Sequence, residues 1–288
     1  MSDSAVLYVV ATPIGNLGDI SNRALEILRT VDIIAAEDTR YSKALLNHFG
    51  ITTPLLSMHE HNEGERVAEI IARLQQGEHI ALISDAGTPL LSDPGFLLVR
   101  EARQRGITVS PVPGPSAITT ALSAAGLPTN AFYFAGFLAA KQNARREQLQ
   151  KLSHVGCTVI VFESTHRILD LLSDIVAVLG MEQKLVLARE LTKRFETFLS
   201  GSAIELQQIL RQDENQRRGE FVVMLAFEEE VPAAEPELMR CLSVLLEELP
   251  VKQAAKLAAK LTGARKNQAY ELAVKLKDQQ GSEKHKAC

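Results

Sequence analysis

Short apolar runs alternate with longer amphipathic stretches along this chain, and that alternation sets the first expectations. Residues 6–11, 31–36, 80–83 and 107–112 are short, mostly apolar runs that read as strands, with a further short strand at 53–57. Between them, residues 21–30, 43–49, 63–76 and 95–105 carry apolar positions at helical spacing, as in Ala24, Leu25, Ile27 and Leu28. A last helix of this series begins in Pro113–Ala117 and runs to Ala125. Strands alternating with helices predict a parallel sheet of right-handed βαβ units. After Gly126-Leu127-Pro128 the rhythm changes. Strands are predicted at 132–134, 158–162, 185–188, 196–199 and 220–227, with helices only at 143–152, 168–179 and 203–212. That pattern predicts a mixed sheet. The expected fold class is α/β, with two α/β domains at 1–126 and 127–227 and a small helical appendage.

The end of the chain has a different composition. Residues 228–237, EEEVPAAEPE, read as an acidic linker, and 238–288 as a basic helical extension. Helices are expected at 236–249, 251–261 and 266–277. Ala254, Leu257, Ala258 and Leu261 form an apolar stripe, and Tyr270, Ala273, Val274 and Lys277 continue the pattern beyond the turn Thr262-Gly263-Ala264. Lys252, Lys256 and Lys260 recur every fourth residue and share one face. Two short helices joined by a Gly-containing turn resemble a helix-turn-helix.

Charge sharpens this contrast. Residues 251–288 hold nine Lys and Arg against three Asp and Glu, a local +6, which leaves −10 for the rest of a chain whose net charge is −4. An acidic body with a basic tail points to nucleic-acid contact through the tail. The alternative is a solvated helical hairpin covering the main domains. The three cysteines, Cys157, Cys241 and Cys288, are far apart and odd in number, which suggests neither a disulfide framework nor a metal site and fits a reducing cytoplasm. The start, MSDSAVLYVV, has no basic segment followed by a long apolar one, so no signal peptide is expected. No apolar run approaches the roughly 20 residues of a membrane-spanning helix.

Candidate chemistry concentrates at strand ends. Residues 79–95, HIALISDAGTPLLSDPG, read as a buried strand opening into a loop of small residues and two carboxylates, Asp85 and Asp93. Asp93 is expected to cap a helix starting at Pro94. Residues 12–18, 37–40 and 113–117 end three other strands of the same sheet, so the four loops converge on one edge, where α/β folds bind ligands. The first loop offers only G-N-L-G rather than G-x-G-x-x-G, and G-x-x-x-x-G-K-[ST] occurs nowhere. A ligand without phosphates is therefore expected. His59-Glu60-His61 lacks the spacing of a metal-binding helix motif, so no metal is expected there. A metal-dependent hydrolase using Asp85 and Asp93, and a non-enzymatic RNA-binding module, remain open on these residues alone.

TPIGNLGDI, AEDTR, SDAGTPLLSDPG and PGPSA, in this order, resemble the tetrapyrrole methylase superfamily of S-adenosylmethionine (SAM) methyltransferases. FESTHRI, ARELTK and GEFVVML resemble segments of its second domain, and the likeness spans residues 6–226. The tetrapyrrole enzymes carry a Gly-rich first loop and a G-D-P loop. TPIGN and S-D-A stand there in this chain, which favours the branch of the family that methylates the ribose 2′-hydroxyl of a decoding-site cytidine in 16S rRNA over a small-molecule substrate.

The resemblance implies SAM bound in a cleft between the two domains of a cytoplasmic homodimer, with 16S rRNA in the small ribosomal subunit as substrate. It implies that Pro13 lines the cleft. Ser84, Asp85, Ala86 and Gly87 would hold the methionine part, and Leu90 or Leu91 would pack on the cofactor. Ser116 and Ala117 match the small pair after P-G. Phe162, Leu191 and Gly219 fall where the family contacts ribose and adenine. A carboxylate or His could take the hydroxyl proton, the candidates being Glu37, Asp38, Asp85, Glu163 and His166. Glu37 and Asp38 could equally serve as a cap or pair with Arg40, and His166 could make only a local hydrogen bond. Arg40, Arg167, Arg189 and Lys193 could hold RNA phosphates.

Overall fold

A computed structural model describes residues 5–59, 62–227, 234–264 and 266–284. They form two compact units, 1–226 and 227–288. Among them no helix is long and apolar enough to cross a membrane.

The first sheet follows the predicted alternation. Its elements are β1 (Val6–Val10), α1 (Asn22–Thr30), β2 (Ile33–Ala36), α2 (Thr39–His48), β3 (Leu55–Ser57), α3 (Glu63–Gln75), β4 (Ile80–Ile83), α4 (Phe96–Gln104), β5 (Thr108–Val112) and α5 (Ala117–Ala125). The order is β3-β2-β4-β1-β5, all parallel. Successive side chains in a strand point to opposite faces. Ile80 and Leu82 therefore join Ile70, Leu74, Leu98 and Ala102 on one side. Ala81 and Ile83 join Leu28, Leu46 and Val10 on the other. Burial on both faces explains why these strands read as unbroken apolar runs.

The second sheet comprises β6 (Phe132–Phe137), β7 (Thr158–Glu163), β8 (Lys184–Arg189), β9 (Thr197–Ser202) and β10 (Phe221–Ala226), with α6 (Gln142–Leu152), α7 (Ile168–Leu179) and α8 (Ala203–Gln212). Its order is β6-β7-β10-β8-β9. Only β6 and β7 pair in parallel, so the sheet is mixed. The sequence places a boundary at Gly126, yet both sheets belong to one compact unit. The reason lies in α5, AITTALSAA, which is too apolar for a surface helix. Its Ile118, Ala121, Leu122 and Ala125 pack against Ile160, Val186, Val222 and Met224 of the second sheet.

Three further elements differ from the expectations. Helix α2 begins at Thr39 rather than Lys43, because Asp38 caps it and accepts a bond from the Arg40 amide. Asp93 is not the cap of α4. Gly95 holds that position at φ +121°, and the Gly95 and Leu97 amides donate to the Glu63 carboxylate of α3 instead. In the basic helix α6, Arg145 turns inward and bonds Asp174 of α7 at 2.7 Å.

The second unit is a three-helix cluster of α9 (Ala234–Glu248), α10 (Val251–Thr262) and α11 (Lys266–Lys284), with Gly263 closing α10 at φ +71°. Residues 228–233 of the expected linker lie outside the described residues, and 234–237 are helical. The core is Leu238, Leu242 and Leu246 against Ala254, Ala255, Ala258, Ala259, Ala269 and Ala273. The apolar stripe on α10 is thus rotated from its expected place. Its alanines are buried, while Leu257 and Leu261 are 43% and 70% exposed. Small residues allow close helix approach, which the larger leucines on that face would prevent.

Candidate active site

The carboxyl ends of β1, β2, β4 and β5 lie along one edge of the parallel sheet, and their loops are tied together there. The Thr12 amide bonds the Gly87 carbonyl at 2.9 Å and the Gly87 amide returns a bond to Thr12 at 3.1 Å. The buried Thr12 hydroxyl reaches the Ser84 carbonyl. Gly87 has φ +84°, and a Cβ there would stand 3.2 Å from Ile14 Cγ2, so only glycine suits the position. The Asp85 carboxylate accepts a bond from the Asp38 amide at 3.0 Å, joining the β4 loop to the start of α2. Leu90 and Ser92 hold φ values of +77° and +74°, conformations that non-glycine residues adopt only when their surroundings enforce them.

The second sheet closes the site. The first loop reaches it where the Asn16 amide bonds the Thr192 hydroxyl at 3.1 Å. Strand β6 bulges at Gly136, beside Ser92. A cavity of about 430 Å³ lies between these parts, within the size range of small-molecule sites. Ile14, Gly87, Ser116 and Ala117 line it from the first sheet, and Phe137, Phe162, Leu191 and Val222 from the second. The Phe137 and Phe162 rings meet edge to face at 5.7 Å.

Among the described residues, five carboxylates also line it, Glu37, Asp85, Asp93, Glu163 and Glu220, and no Lys or Arg does. Burial pushes the Asp85 carboxyl up, against the Asp38 amide that favours its charged form. Burial likewise raises Asp93 to about 6, although the Ser84 hydroxyl bonds it. Asp38, outside the cavity and bonded to the Arg40 guanidinium, is lowered to about 2.

The sequence candidates divide accordingly. Glu37, Asp85, Ala86, Gly87, Leu91, Ser116, Ala117, Phe162, Glu163 and Leu191 line the cavity, whereas Pro13, Ser84, Leu90 and Gly219 are not among its lining residues. Gly219 precedes the lining residue Glu220, and a Cβ there would collide with Glu190. His166 lies in a separate hollow with Arg217 and Arg218. Arg189 is 7% exposed and donates to the carbonyls of Asn215, Arg218 and Phe195, so its fork is occupied internally. Lys193 pairs with Glu190 and Glu220. Arg167 bonds the Leu138 carbonyl and pairs with Glu163. Arg40, with its side chain exposed beside Asp38, and the exposed Lys252, Lys256 and Lys260 remain on the surface. Sequence reasoning missed Glu220 and Phe137 as cavity residues and read Asp93 as a cap. Glu220 directly precedes a strand whose start faces the site, a signal visible only once the two sheets are known to meet.

This lining suits a cation with apolar parts. SAM carries a sulfonium and an ammonium against one carboxylate, a net +1 that suits a lining of five carboxylates, of which Glu163 and Glu220 are already paired with Arg167 and Lys193 from outside the lining. Glu163 adds a specific sign of a ligand. It is 2% exposed and its Oε2 has no hydrogen-bond partner among the described residues, a costly arrangement unless a donor arrives. The glycine cradle at Gly87 leaves backbone open beside it. Among the described residues no group of three or more His, Cys, Asp or Glu could hold a metal ion. Glu60 and His61 lie outside the described residues.

Comparison with known proteins bears on both units. Residues 6–207 match the family model described as Tetrapyrrole (Corrin/Porphyrin) Methylases, and residues 232–277 match the RsmI C-terminal HTH domain. A protein of Xylella fastidiosa (strain Temecula1) named ribosomal RNA small subunit methyltransferase I is 54% identical over 271 residues, spanning 94% of this chain and 99% of its own length. The protein of that name from Escherichia coli O157:H7 is 52% identical over 279 residues, 96% of each chain. Among solved structures, a diphthine synthase superposes with TM-score 0.61 at 17% identity, covering 77% of this chain and 90% of that one. A cobalt precorrin-4 methyltransferase of cobalamin biosynthesis does so with TM-score 0.57 at 16% identity, covering 78% and 96%. At those identities the likeness shows the fold alone. With the fold, the family match across most of the chain and relatives at 52–54% identity in agreement, the chain belongs to the tetrapyrrole methylase family, among the ribosomal RNA small subunit methyltransferase I proteins.

Proposed function

We propose that this protein uses SAM to methylate the ribose 2′-hydroxyl of a decoding-site cytidine in 16S rRNA. The observation that carries the reading is the cavity at the parallel sheet's carboxyl edge, lined by five carboxylates and no basic residue, in a chain whose near-full-length relatives bear an rRNA methyltransferase name. The backbone of Asp85–Gly87 would hold the methionine part. Leu91, Ser116, Ala117, Phe162 and Leu191 would pack on the cofactor, and Glu163 Oε2 would accept a hydrogen bond from it. SAM supplies an activated methyl group, so alignment of the hydroxyl with that group accounts for much of the rate.

The cavity is unsuited to phosphates, so the RNA backbone must be held elsewhere. The exposed lysines of α10 (Lys252, Lys256 and Lys260) are the proposed contact, with Arg40 near the cavity edge. Backbone contacts of this kind give salt-dependent affinity without base choice. On this reading the protein works in the cytoplasm on an assembled small subunit. A homodimer is proposed from the family resemblance, and the exposed aromatic residues Phe132 and Tyr133 of edge strand β6 offer apolar surface for it. Light scattering at micromolar concentration tests it, and a monomer would refute it.

The decisive experiment for the activity incubates the protein with isotopically labelled SAM and small ribosomal subunits lacking the modification, then maps the label by mass spectrometry. Label on a single cytidine ribose is expected. Label on a base, or none with particles and naked rRNA alike, would overturn the reading.

A further inference from the structure

The cavity's carboxylates are not equivalent. Asp85 uses one oxygen to hold the Asp38 amide. Glu163 accepts from the Ser164 amide and sits 3.3 Å from the Arg167 guanidinium. Glu220 pairs with Lys193 at 2.9 Å. Asp93 is differently placed. It is near a hydroxyl, Ser84, and a second carboxylate, Asp85, and no cation lines the cavity beside it. Its obvious structural duty is already filled, because Glu63 takes the amides at the start of α4. The loop that presents it carries left-handed backbone at Leu90 and Ser92. Gly95 after it fits so closely that a Cβ would stand 2.7 Å from Leu82 Cδ2. A segment fixed this closely holds a half-buried carboxylate against the cavity for a purpose other than capping.

We propose that Asp93 is the proton acceptor for the hydroxyl that is methylated. The proposal rests on the methyltransferase reading above. In the step, the ribose O–H bond breaks and an O–CH3 bond forms. The sulfonium keeps the electron pair of its broken S–C bond and becomes a neutral thioether. The hydroxyl proton passes to the Asp93 carboxylate, which later releases it to water. The other carboxylates lining the cavity are Asp85 at the end of β4, Glu37 at the end of β2, Glu163 of β7, which pairs with Arg167, and Glu220 before β10, which pairs with Lys193. Burial and the negative charge of Asp85 favour the protonated form and push Asp93 up to about 6. A base is most effective when its pKa lies near the working pH.

The test compares full-length wild type, Asp93→Asn, Asp93→Glu and Asp85→Asn. Methyl transfer to small-subunit particles is measured from pH 5 to 9, SAM binding by calorimetry at pH 8, and aspartate carboxyl titration by carbon-13 NMR. Wild type should show a rate that rises through about pH 6, and Asp85→Asn, which removes a negative neighbour of Asp93, should move that rise to lower pH. Asp93→Asn should lose roughly 100-fold in rate and lose that acid limb, while binding SAM within about threefold. Asp93→Glu should recover part of the rate with a displaced limb. One carboxyl titrating near 6 should vanish from the NMR spectrum of Asp93→Asn. The proposal fails if Asp93→Asn keeps the limb and a rate within a few-fold of wild type. It fails equally if that folded variant loses SAM binding, which would make Asp93 a cofactor residue. If the wild type methylates nothing at any pH while the NMR titration still assigns the group near 6, the methyltransferase reading fails and takes the proposal with it. Should Asp93→Asn not fold, Asp93→Glu with an unmoved pH limb overturns it.

Discussion

Gly87 makes the cavity depend on one missing methyl group. Its φ of +84° and its distance from Ile14 mean that any larger side chain must shift the β4 loop. Gly87→Val should weaken SAM binding by about tenfold or more, from strain of roughly 1–3 kcal/mol. Calorimetry on the folded variant decides it, and unchanged affinity would mean that this loop does not hold the cofactor. Asp93 has a stability signature as well as a chemical one. Its folded pKa, about 6, lies above the ordinary aspartate value of 3.8, so between those pH values the unfolded chain releases a proton that the folded chain retains. Stability therefore falls as pH rises through that window, and the cost is fully present by pH 7. Asp93→Asn removes the cost. Its melting temperature should exceed wild type by about 2 °C at pH 7 and match it near pH 4. The sequence could name these residues but not their jobs. Asp93 precedes Pro94 as a helix cap would, and only the competing Glu63 carboxylate from α3 shows that the cap is supplied elsewhere. Arg189 looked available to RNA because a buried guanidinium bonding carbonyls reads the same in one dimension as an exposed one.

Helix α6 shows how an element's surface pattern can mislead. Arg145 and Arg146 are adjacent basic residues of a helix, yet Arg145 is buried with Asp174 of α7, which is 0% exposed and also accepts from Gln142 and Arg146. Removing one partner of a buried pair leaves the other charge unsatisfied. Asp174→Ala should cost about 3 kcal/mol or more, read from urea unfolding, with SAM affinity of the folded fraction unchanged. Helix α10 errs in the opposite direction. Its expected stripe joins Leu257 and Leu261 to Ala254 and Ala258, but the alanines are packed and the leucines exposed. Lys256 and Lys260 are exposed beside Leu257 and Leu261 in sequence, so this helix offers basic and apolar side chains to solvent. Replacing Lys252, Lys256 and Lys260 with Gln should weaken rRNA binding and lower the slope of log affinity against log salt by about 0.7 for each lost contact. A filter-binding titration at several salt concentrations that gave an unchanged slope would remove α10 from the RNA interface.

At the scale of the molecule, the proposed cofactor site and the proposed RNA-docking lysines fall in different compact units. A chain ending at residue 227 should therefore keep SAM affinity within about twofold, since each 1.4 kcal/mol is tenfold and no cavity residue is lost. Its rRNA affinity should fall and become less salt-dependent. If the truncated, folded protein methylates small-subunit particles as well as the full chain at physiological salt, the docking role of the helical unit is wrong. Charge counts alone mark residues 251–288 as basic, but they do not mark this division, because 227–288 as a whole holds ten Lys and Arg against ten Asp and Glu. The packing of α5 against the second sheet was not visible. It merges two predicted domains into one body and shapes the wall of the cavity.

The sequence by itself determined the local periodic features: which segments are strands and helices, the parallel and mixed characters of the two sheets, the convergence of four loops on one edge and the three-helix tail. These follow from hydrophobic spacing and turn residues, which act over a few positions. Ordered motifs also sufficed to indicate the family. The tertiary structure alone decided which carboxylates share the cavity, that Glu163 and Glu220 pair with cations, which arginines are internal and which face of α10 is buried. Those outcomes depend on residues distant in the chain, such as Glu63 beside Gly95 or Asp174 beside Arg145. Their burial and partners set the electrostatics that chemistry requires, and no local pattern encodes them.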